Sequence, residues 1–231
     1  MKEIFTMEMK VSDLVDINYS LLLVLPRLGV DLKHANMPVA DACRKCGIDA
    51  HTFLLVCNVY TFADYVPSVS DIACGNINDI IHYLHNSHLY YTGSALRSLE
   101  KGFDLLTAPC DEHQKKVILR FFLDYREELG KHFAYEEDNV FTYVRSLMDE
   151  SSPYSGDYSI TQFEEHHENV EEKLEDMKNI VMKYLPSECD NTVKTGVLFS
   201  IYQLQDDLRH HTYVENNVLV PIVTRLEKHG K

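Results

Sequence analysis

Four long stretches of this 231-residue chain place apolar residues alternately three and four positions apart. This spacing keeps the apolar side chains on one face of an α-helix, and such a stripe faces the inside of a helical bundle. The stretches cover residues 77–106, 111–149, 159–185 and 190–228, and short segments with proline, glycine or acidic residues separate them. The pattern therefore predicts an all-α fold, an up-down-up-down four-helix bundle.

The residues before the bundle predict a small helical domain. Shorter helical patterns fill residues 10–65 and end at Gly29 and Gly47, with Ser12 as a candidate N-terminal cap. The segment that follows them, residues 67–76, is typical of a linker. The predicted domains are a small N-terminal helical domain at 1–66, a linker at 67–76 and the four-helix bundle at 77–231.

Acidic residues are in excess and give the chain a formal net charge of −14. Nucleic acids and anionic membrane surfaces attract basic patches, and the sequence has no basic cluster, so neither is an expected partner. The N-terminus lacks an apolar signal segment, and the longest apolar stretch, SLLLVL, is too short to cross a bilayer. These features predict a soluble cytoplasmic protein.

Six cysteines are scattered along the chain, and Cys43 and Cys46 form a CxxC. A zinc site built on this motif would need a second closely spaced pair, and a redox CxxC would need a βαβ setting. The sequence offers neither, so the cysteines are expected to be reduced and structural.

Polar residues interrupt the apolar stripe of the last helix at His211 and Glu215. These positions are one helical turn apart on the inward face, whereas His210 points elsewhere. The second helix repeats the His-x-x-x-Glu spacing at His132 and Glu136. A buried carboxylate is costly unless something binds it, so the repeat indicates a ligand inside the bundle.

The first and third helices also place histidines on their inward faces. In the first helix both His85 and His88 lie there, and in the third the phase favours His167 and leaves the adjacent His166 as an alternative. One buried histidine is usually a core residue with a hydrogen-bond partner. Four helices that share the feature indicate a metal site, because a bound metal removes the cost of burying these groups.

The donor groups indicate which metals suit such a site. Imidazole and carboxylate without thiolate favour iron, manganese or zinc over an iron–sulfur cluster. Four histidines and two carboxylates suit two ions, with each carboxylate bridging both. Each ion then keeps an open position, where O2, NO or peroxide would bind on iron. A ferritin-like bundle would carry Glu-x-x-His instead, so the spacing favours the hemerythrin type.

Four segments of the chain resemble the hemerythrin-like di-iron domain and, within it, the RIC (repair of iron centres) family. They are IIHYLHNSH, HFAYEEDNVF, EEHHENVEEKLEDM and HHTYVENNVLVP, within residues 77–228. The N-terminal residues look like that family's small N-terminal domain. However, Lys33 and His34 stand where the family usually has adjacent cysteines, so no role of those cysteines is carried over.

This resemblance implies a non-haem di-iron centre, in which an oxo or hydroxo group bridges two iron ions. Glu128, one turn before His132, matches a carboxylate near the centre and is assigned either a role in supporting the metal ligands or a proton-relay role. His88 is either a neighbour of the centre or a plain core residue. The implied metal ligands are His85, His132, Glu136, His167, His211 and Glu215.

The resemblance also implies a role in the nitrosative or oxidative stress response. The protein would handle NO or reactive oxygen, or support repair of damaged iron–sulfur clusters. Its partners would be a small diatomic ligand, NO or O2, and iron–sulfur proteins, and a homodimer is compatible with the family.

Two alternatives to this function stay open. The first is a hemerythrin-like sensor or storage module that binds O2 or NO without catalysis. Oxygen-carrying hemerythrins usually use five histidines and an aspartate in the last motif, whereas this chain has Glu215 there and lacks a clear fifth histidine unless His88 serves. The second alternative is a bundle without iron that acts as an interaction domain.

Overall fold

The computed structural model describes residues 4–148, 156, 158–166, 170–186 and 188–229. These residues are predominantly helical, and their β-interactions are limited to an isolated bridge between Lys10 and Pro38. None of the described helices combines the length and the apolar character that crossing a membrane requires. The predicted all-α fold is confirmed.

Short α-helices form the first part of the described chain: α1 (Val11–Ile17), α2 (Leu21–Arg27), α3 (Val39–Cys46), α4 (Ala50–Thr61) and α5 (Val69–Cys74). Helix α1 begins directly after Lys10, so the prediction that Ser12 caps it is wrong. The Lys10 backbone N–H instead donates to the Asp13 carboxylate (3.1 Å), which stabilises the earlier start.

Helix α5 lies within residues 67–76, which the sequence predicts to be a linker. Ser68 and Asp71 form a capping box, in which the Ser68 backbone N–H donates to the Asp71 carboxylate at 2.8 Å. The S-x-x-D signal of this cap is present in the sequence, but the helix that follows is only six residues long.

The long helices occupy the predicted stretches, and three of them contain a π-helical segment. The elements are α6 (Ile77–Leu89), π1 (Tyr90–Ala95), α7 (Leu96–Leu106), α8 (Glu112–Tyr135), π2 (Glu136–Phe141), α9 (Thr142–Met148), α10 (Ile160–His166), α11 (Val170–Lys183), α12 (Asn191–Val214), π3 (Glu215–Leu219) and α13 (Val220–His229). Each π-segment continues directly from the α-helix before it into the one after it.

The chain divides into two units. The first comprises Met1–Ser87, Val144–Ile160 and His210–Lys231, and the second comprises His88–Tyr143 and Thr161–Arg209. The predicted boundaries between an N-terminal domain, a linker and a bundle stay a prediction.

In the first unit, the start of α4 is connected to the start of α6. Gly47, with a φ of 72°, ends α3 in a left-handed conformation that a residue without a Cβ adopts readily. Asp49 then caps α4 by accepting a hydrogen bond from the Thr52 backbone N–H (2.7 Å). The Thr52 hydroxyl accepts one from the Asn76 backbone N–H (2.7 Å), so the residue before α6 is fixed against α4.

In the second unit, helices α7, α8, α11 and residues 191–209 of α12 pack around one apolar core. Its larger buried members are Tyr91, Leu99, Phe103, Phe122, Tyr125, Leu129, Phe133, Leu174, Met177, Ile201 and Leu204. The Tyr91 hydroxyl, which lies in this core, donates to the Asp207 carboxylate at 2.9 Å, so the buried phenol is satisfied.

Gly102 of α7 packs closely against α12. A Cβ at this position would lie 2.7 Å from Cγ2 of Val197, a short, stiff side chain that cannot move aside. We expect Gly102→Ala to lower the free energy of unfolding by about 1–3 kcal/mol, measured by urea denaturation. The control is Gly130→Ala in α8, where a Cβ meets nothing within 4 Å and helix propensity should raise stability. Equal effects of the two variants would contradict this packing.

Candidate metal centre

Both glutamates of the His-x-x-x-Glu motifs stand at the first residue of a π-helical segment. Glu136 begins π2 and Glu215 begins π3, and each follows a histidine one α-helical turn earlier, His132 or His211. A π-turn inserts one extra residue into a helix, and such insertions are frequent at functional sites.

In the second unit, two histidines flank the buried carboxylate of Glu136. His132 Nε2 lies 2.9 Å from Oε1, and His88 Nε2 lies 2.9 Å from Oε2. Each carboxylate oxygen therefore has its own imidazole nitrogen. Glu136 is completely buried, and both rings are nearly so.

This set of side chains fits a metal ion. Within the described part of the chain, neither oxygen of Glu136 accepts a hydrogen bond, although the two imidazole nitrogens are close. A buried carboxylate in this state is costly, and a cation between the nitrogens and the oxygens would satisfy all of them. Burial raises the pKa of the Glu136 carboxyl, but the neighbouring His132 and His88 outweigh burial and hold that pKa below its usual range. The carboxyl is therefore ionised and has the charge that a metal cation requires of a ligand.

In the first unit, the same motif recurs at the end of α12. His211 Nε2 lies 3.1 Å from Glu215 Oε1, and both side chains are buried. His85 lies in the same unit on α6 and is half-buried. His210, the neighbour of His211, points away from this pair as predicted, and its ring stacks on Tyr60 at 4.6 Å between centroids.

Each unit thus contributes buried histidine and glutamate side chains of the kind that hold a metal ion, His88 and Glu136 in the second unit and His211 and Glu215 in the first. The donors are imidazole and carboxylate, which suit iron, manganese or zinc. No cysteine belongs to either set among the described residues. The predicted metal centre of histidine and glutamate ligands is supported on this chemistry.

Some of the remaining predicted site residues lie within the described part of the chain, and others lie outside it. His167 lies outside the described residues, and the side chain of its alternative, His166, is likewise not described. Glu128 is partly exposed and forms an ion pair with Lys173 of α11. Its proton-relay role, and the ligand roles of His85 and His167, stay predictions.

For His88, the sequence leaves open whether the residue neighbours the metal centre or is a plain core residue. Its position on the inward face of α6 is visible in the periodicity, but His85 has the same property. What distinguishes His88 is its contact with Glu136 and Glu137, which follow it by about fifty positions along the chain. Sequence spacing within one helix carries no signal for such a contact.

The CxxC cysteines do not offer a second site. All six cysteines are free, Cys43 is buried, and burial raises the pKa of its thiol to about 12. The thiolate is the form that binds metals and attacks disulfides, so a thiol with this pKa is unreactive near neutral pH.

Comparison with known proteins agrees with this site. The family model described as hemerythrin HHE cation binding domain matches residues 80–223, which include both His-x-x-x-Glu motifs. Similar proteins include iron-sulfur cluster repair proteins YtfE of Escherichia coli O1:K1, Escherichia coli strain SMS-3-5 and Escherichia fergusonii. Each is 30% identical over 106 residues, 46% of this chain and 46% of the relative. The matched segment is therefore about half the length of these curated relatives.

Proposed function

The chain belongs to the hemerythrin HHE cation binding domain family, and we propose on this premise that its two buried His/Glu sets bind two iron ions as one non-haem di-iron centre. The observation that carries the proposal is the repeat of a buried His-x-x-x-Glu pair at the start of a π-segment, once in π2 and once in π3. A structural core would have no need to bury two carboxylates in this way.

The family comparison supports one shared centre over two separate sites. The family model matches one domain that contains both motifs. The proposed ligands are His85, His132, Glu136, His167, His211 and Glu215.

The residues around the centre have distinct tasks in this proposal. Glu136 and Glu215 would supply the carboxylate ligands of the two ions, and the histidines would complete their coordination. When bound, the di-iron group would supply redox chemistry and an open position for a small ligand. Water has little access to these carboxylates, because Glu136 and Glu215 are themselves fully buried.

For the cellular task, we propose support of iron–sulfur cluster repair in nitrosative or oxidative stress. The similarity to iron-sulfur cluster repair proteins supports this task, and NO or reactive oxygen is the proposed small ligand. Proteins with damaged iron–sulfur clusters would be the partners.

The test is recovery of a [4Fe–4S] enzyme after a pulse of NO or peroxide. Cells that lack this protein should regain the enzyme's activity more slowly, the wild-type gene should restore the rate, and a Glu136→Gln gene should not. The Glu127→Gln gene serves as the control, since it removes an exposed carboxylate of the same helix that pairs with Lys131. Recovery at the normal rate without the protein would refute the repair function.

One observation favours a second candidate, reversible binding of O2 or NO by a sensor or storage module. His88 lies against Glu136 and so could supply the fifth histidine that the sequence alone does not identify. A stable O2 adduct of the reduced protein, which releases O2 under vacuum without oxidation of the iron, would support this candidate over repair.

A further inference from the structure

A groove lies on the surface of the second unit between α8 and α11. Its apolar lining comes from α8, from α11 and from the residue directly after α11, namely Val117, Ile118, Phe121, Ile180 and Tyr184. Val117 is 55% exposed and Tyr184 is 72% exposed. Single exposed apolar residues are normal on a protein surface, but several that line one groove indicate an interaction site.

This α8–α11 groove has the size of a binding cleft. Its volume is about 690 Å³, and clefts that hold ligands usually have about 300–1,000 Å³. Ile118 forms part of the floor, since its side chain is buried and belongs to the apolar core of the unit. The core therefore fixes the floor, and the exposed side chains above it are available to a partner.

Basic side chains line the groove next to its apolar residues. His113, Lys116 and Arg120 of α8 are exposed and stand three and four positions apart. At about 100° per residue, they share one side of the helix, and Val117 and Phe121 lie between them and the buried face. The groove thus has an apolar stripe with a line of basic residues along one flank.

This charge pattern differs from that of the whole chain. The chain has a formal net charge of −14, whereas the lining of the groove contains three basic residues and one acidic residue, Asp124. Asp124 is already paired with Arg120, at 2.8 Å between Oδ1 and Nε. Because complementary charge selects partners, a ligand that fits this groove should be acidic.

The two helical walls favour a helix as the occupant. Two packed helices leave a groove along their contact, and an amphipathic helix binds in such a groove by its apolar face. From His113 to Asp124 the groove follows about 16 Å of α8, which is three helical turns. Acidic residues on one flank of the occupant would then face the basic line at matching spacing.

We propose that the α8–α11 groove binds an acidic amphipathic helix of a partner protein. Apolar side chains of that helix contact Val117, Phe121 and Tyr184, and its carboxylates pair with Lys116 and Arg120. The apolar contacts supply most of the affinity, and the charges select the partner and speed its association. The inference goes beyond the proposed function and does not require iron, so each can fail while the other holds.

Fluorescence anisotropy of a labelled peptide tests this inference on the full-length protein as purified. The probe is a helical peptide of about 15 residues, long enough for the three turns, with leucines at three- and four-residue spacing and glutamates on one flank. One control peptide has lysine in place of each glutamate, and a second has alanine in place of each leucine. Circular dichroism confirms that each variant protein keeps its helical content.

We expect the acidic peptide to bind and both control peptides to bind about tenfold more weakly or less. Tyr184→Ala should weaken the acidic peptide about tenfold, because truncation of an aromatic anchor is usually the costliest change in an interface. Lys116→Glu should weaken it about fivefold, the scale of a surface ion pair. The matched controls, Phe199→Ala of α12 and Lys101→Glu of α7, change exposed residues outside the groove lining and should leave the affinity unchanged.

Equal affinity for the acidic and the lysine peptides, or equal effects of the groove variants and their controls, would overturn the inference. In cells, a photoreactive benzoylphenylalanine in place of Val117 identifies the natural occupant. Crosslinks to an acidic helical segment of another protein are expected. Crosslinks only to other copies of this chain, with a dimer that Tyr184→Ala dissociates, would instead make the groove a contact between copies and overturn the proposed partner.

Discussion

Replacing Glu136 by glutamine should abolish the di-iron centre and leave the fold intact. The amide has the same shape as the carboxylate but carries no charge and cannot bridge two cations. Because Glu136 lies between His132 and His88, its substitution would remove the carboxylate that the proposed centre shares between its two ions. The loss of affinity should exceed about 100-fold, the upper range for residues that only support a ligand.

The measurement is iron per chain after anaerobic reconstitution and desalting, with circular dichroism to confirm helical content. Wild-type protein should retain two irons, and Glu136→Gln should retain less than one. Glu127→Gln is the matched control, since it removes a carboxylate from the same helix at a site exposed to solvent. Two retained irons in Glu136→Gln, with an unchanged absorption spectrum, would show that Glu136 is not a ligand.

Removal of the metal should strongly destabilise the protein. Without an ion, the buried carboxylates of Glu136 and Glu215 lose the charge that compensates their burial. A ligand present at a thousand times its dissociation constant stabilises the folded state by about 4 kcal/mol. For a chain of this size, that difference corresponds to a fall of roughly 8–16 °C in Tm.

Differential scanning calorimetry of iron-loaded protein and of protein stripped with a reductant and a chelator measures this fall. The Glu136→Gln variant should melt at the same temperature before and after stripping, since it holds little iron. Addition of ferrous iron to stripped wild-type protein should restore the higher Tm. Equal melting temperatures for loaded and stripped wild-type protein would contradict a metal that contributes to folding.

The long helices could be predicted closely from the sequence because their signals are local. The predicted stretch 77–106 coincides with the limits of α6 and α7, and the stretch 111–149 begins one residue before α8, which starts at Glu112. Apolar residues at helical spacing and breaks such as TAPC act within a few positions of each other, so no tertiary information is needed to read them.

The polar pairs inside these helices could be predicted for the same reason. His132 with Glu136, and His211 with Glu215, are one α-helical turn apart, and the structure brings their side chains to 2.9 and 3.1 Å. The π-segments that begin at the glutamates could not be predicted. Whether an extra residue is accommodated depends on packing around the helix, and the sequence has no local mark for it.

The contacts of His88 could not be predicted from the spacing of residues within α6 either. The periodicity places both His85 and His88 on the inward face of α6. Which of the two lies against Glu136 depends on residues of α8 and π2. Phe133, Glu136 and Glu137 surround His88, which no pattern within α6 reveals. Contacts between distant segments are therefore where the structure adds most to the site.

The most direct test of the central claim is the metal content of protein purified without added metal, measured together with its absorption spectrum. Two irons per chain, with near-ultraviolet charge-transfer bands that change when NO is added, is the predicted result. Zinc or no metal in the purified protein, together with failure to bind iron after anaerobic reconstitution, would contradict the di-iron centre and with it the proposed function.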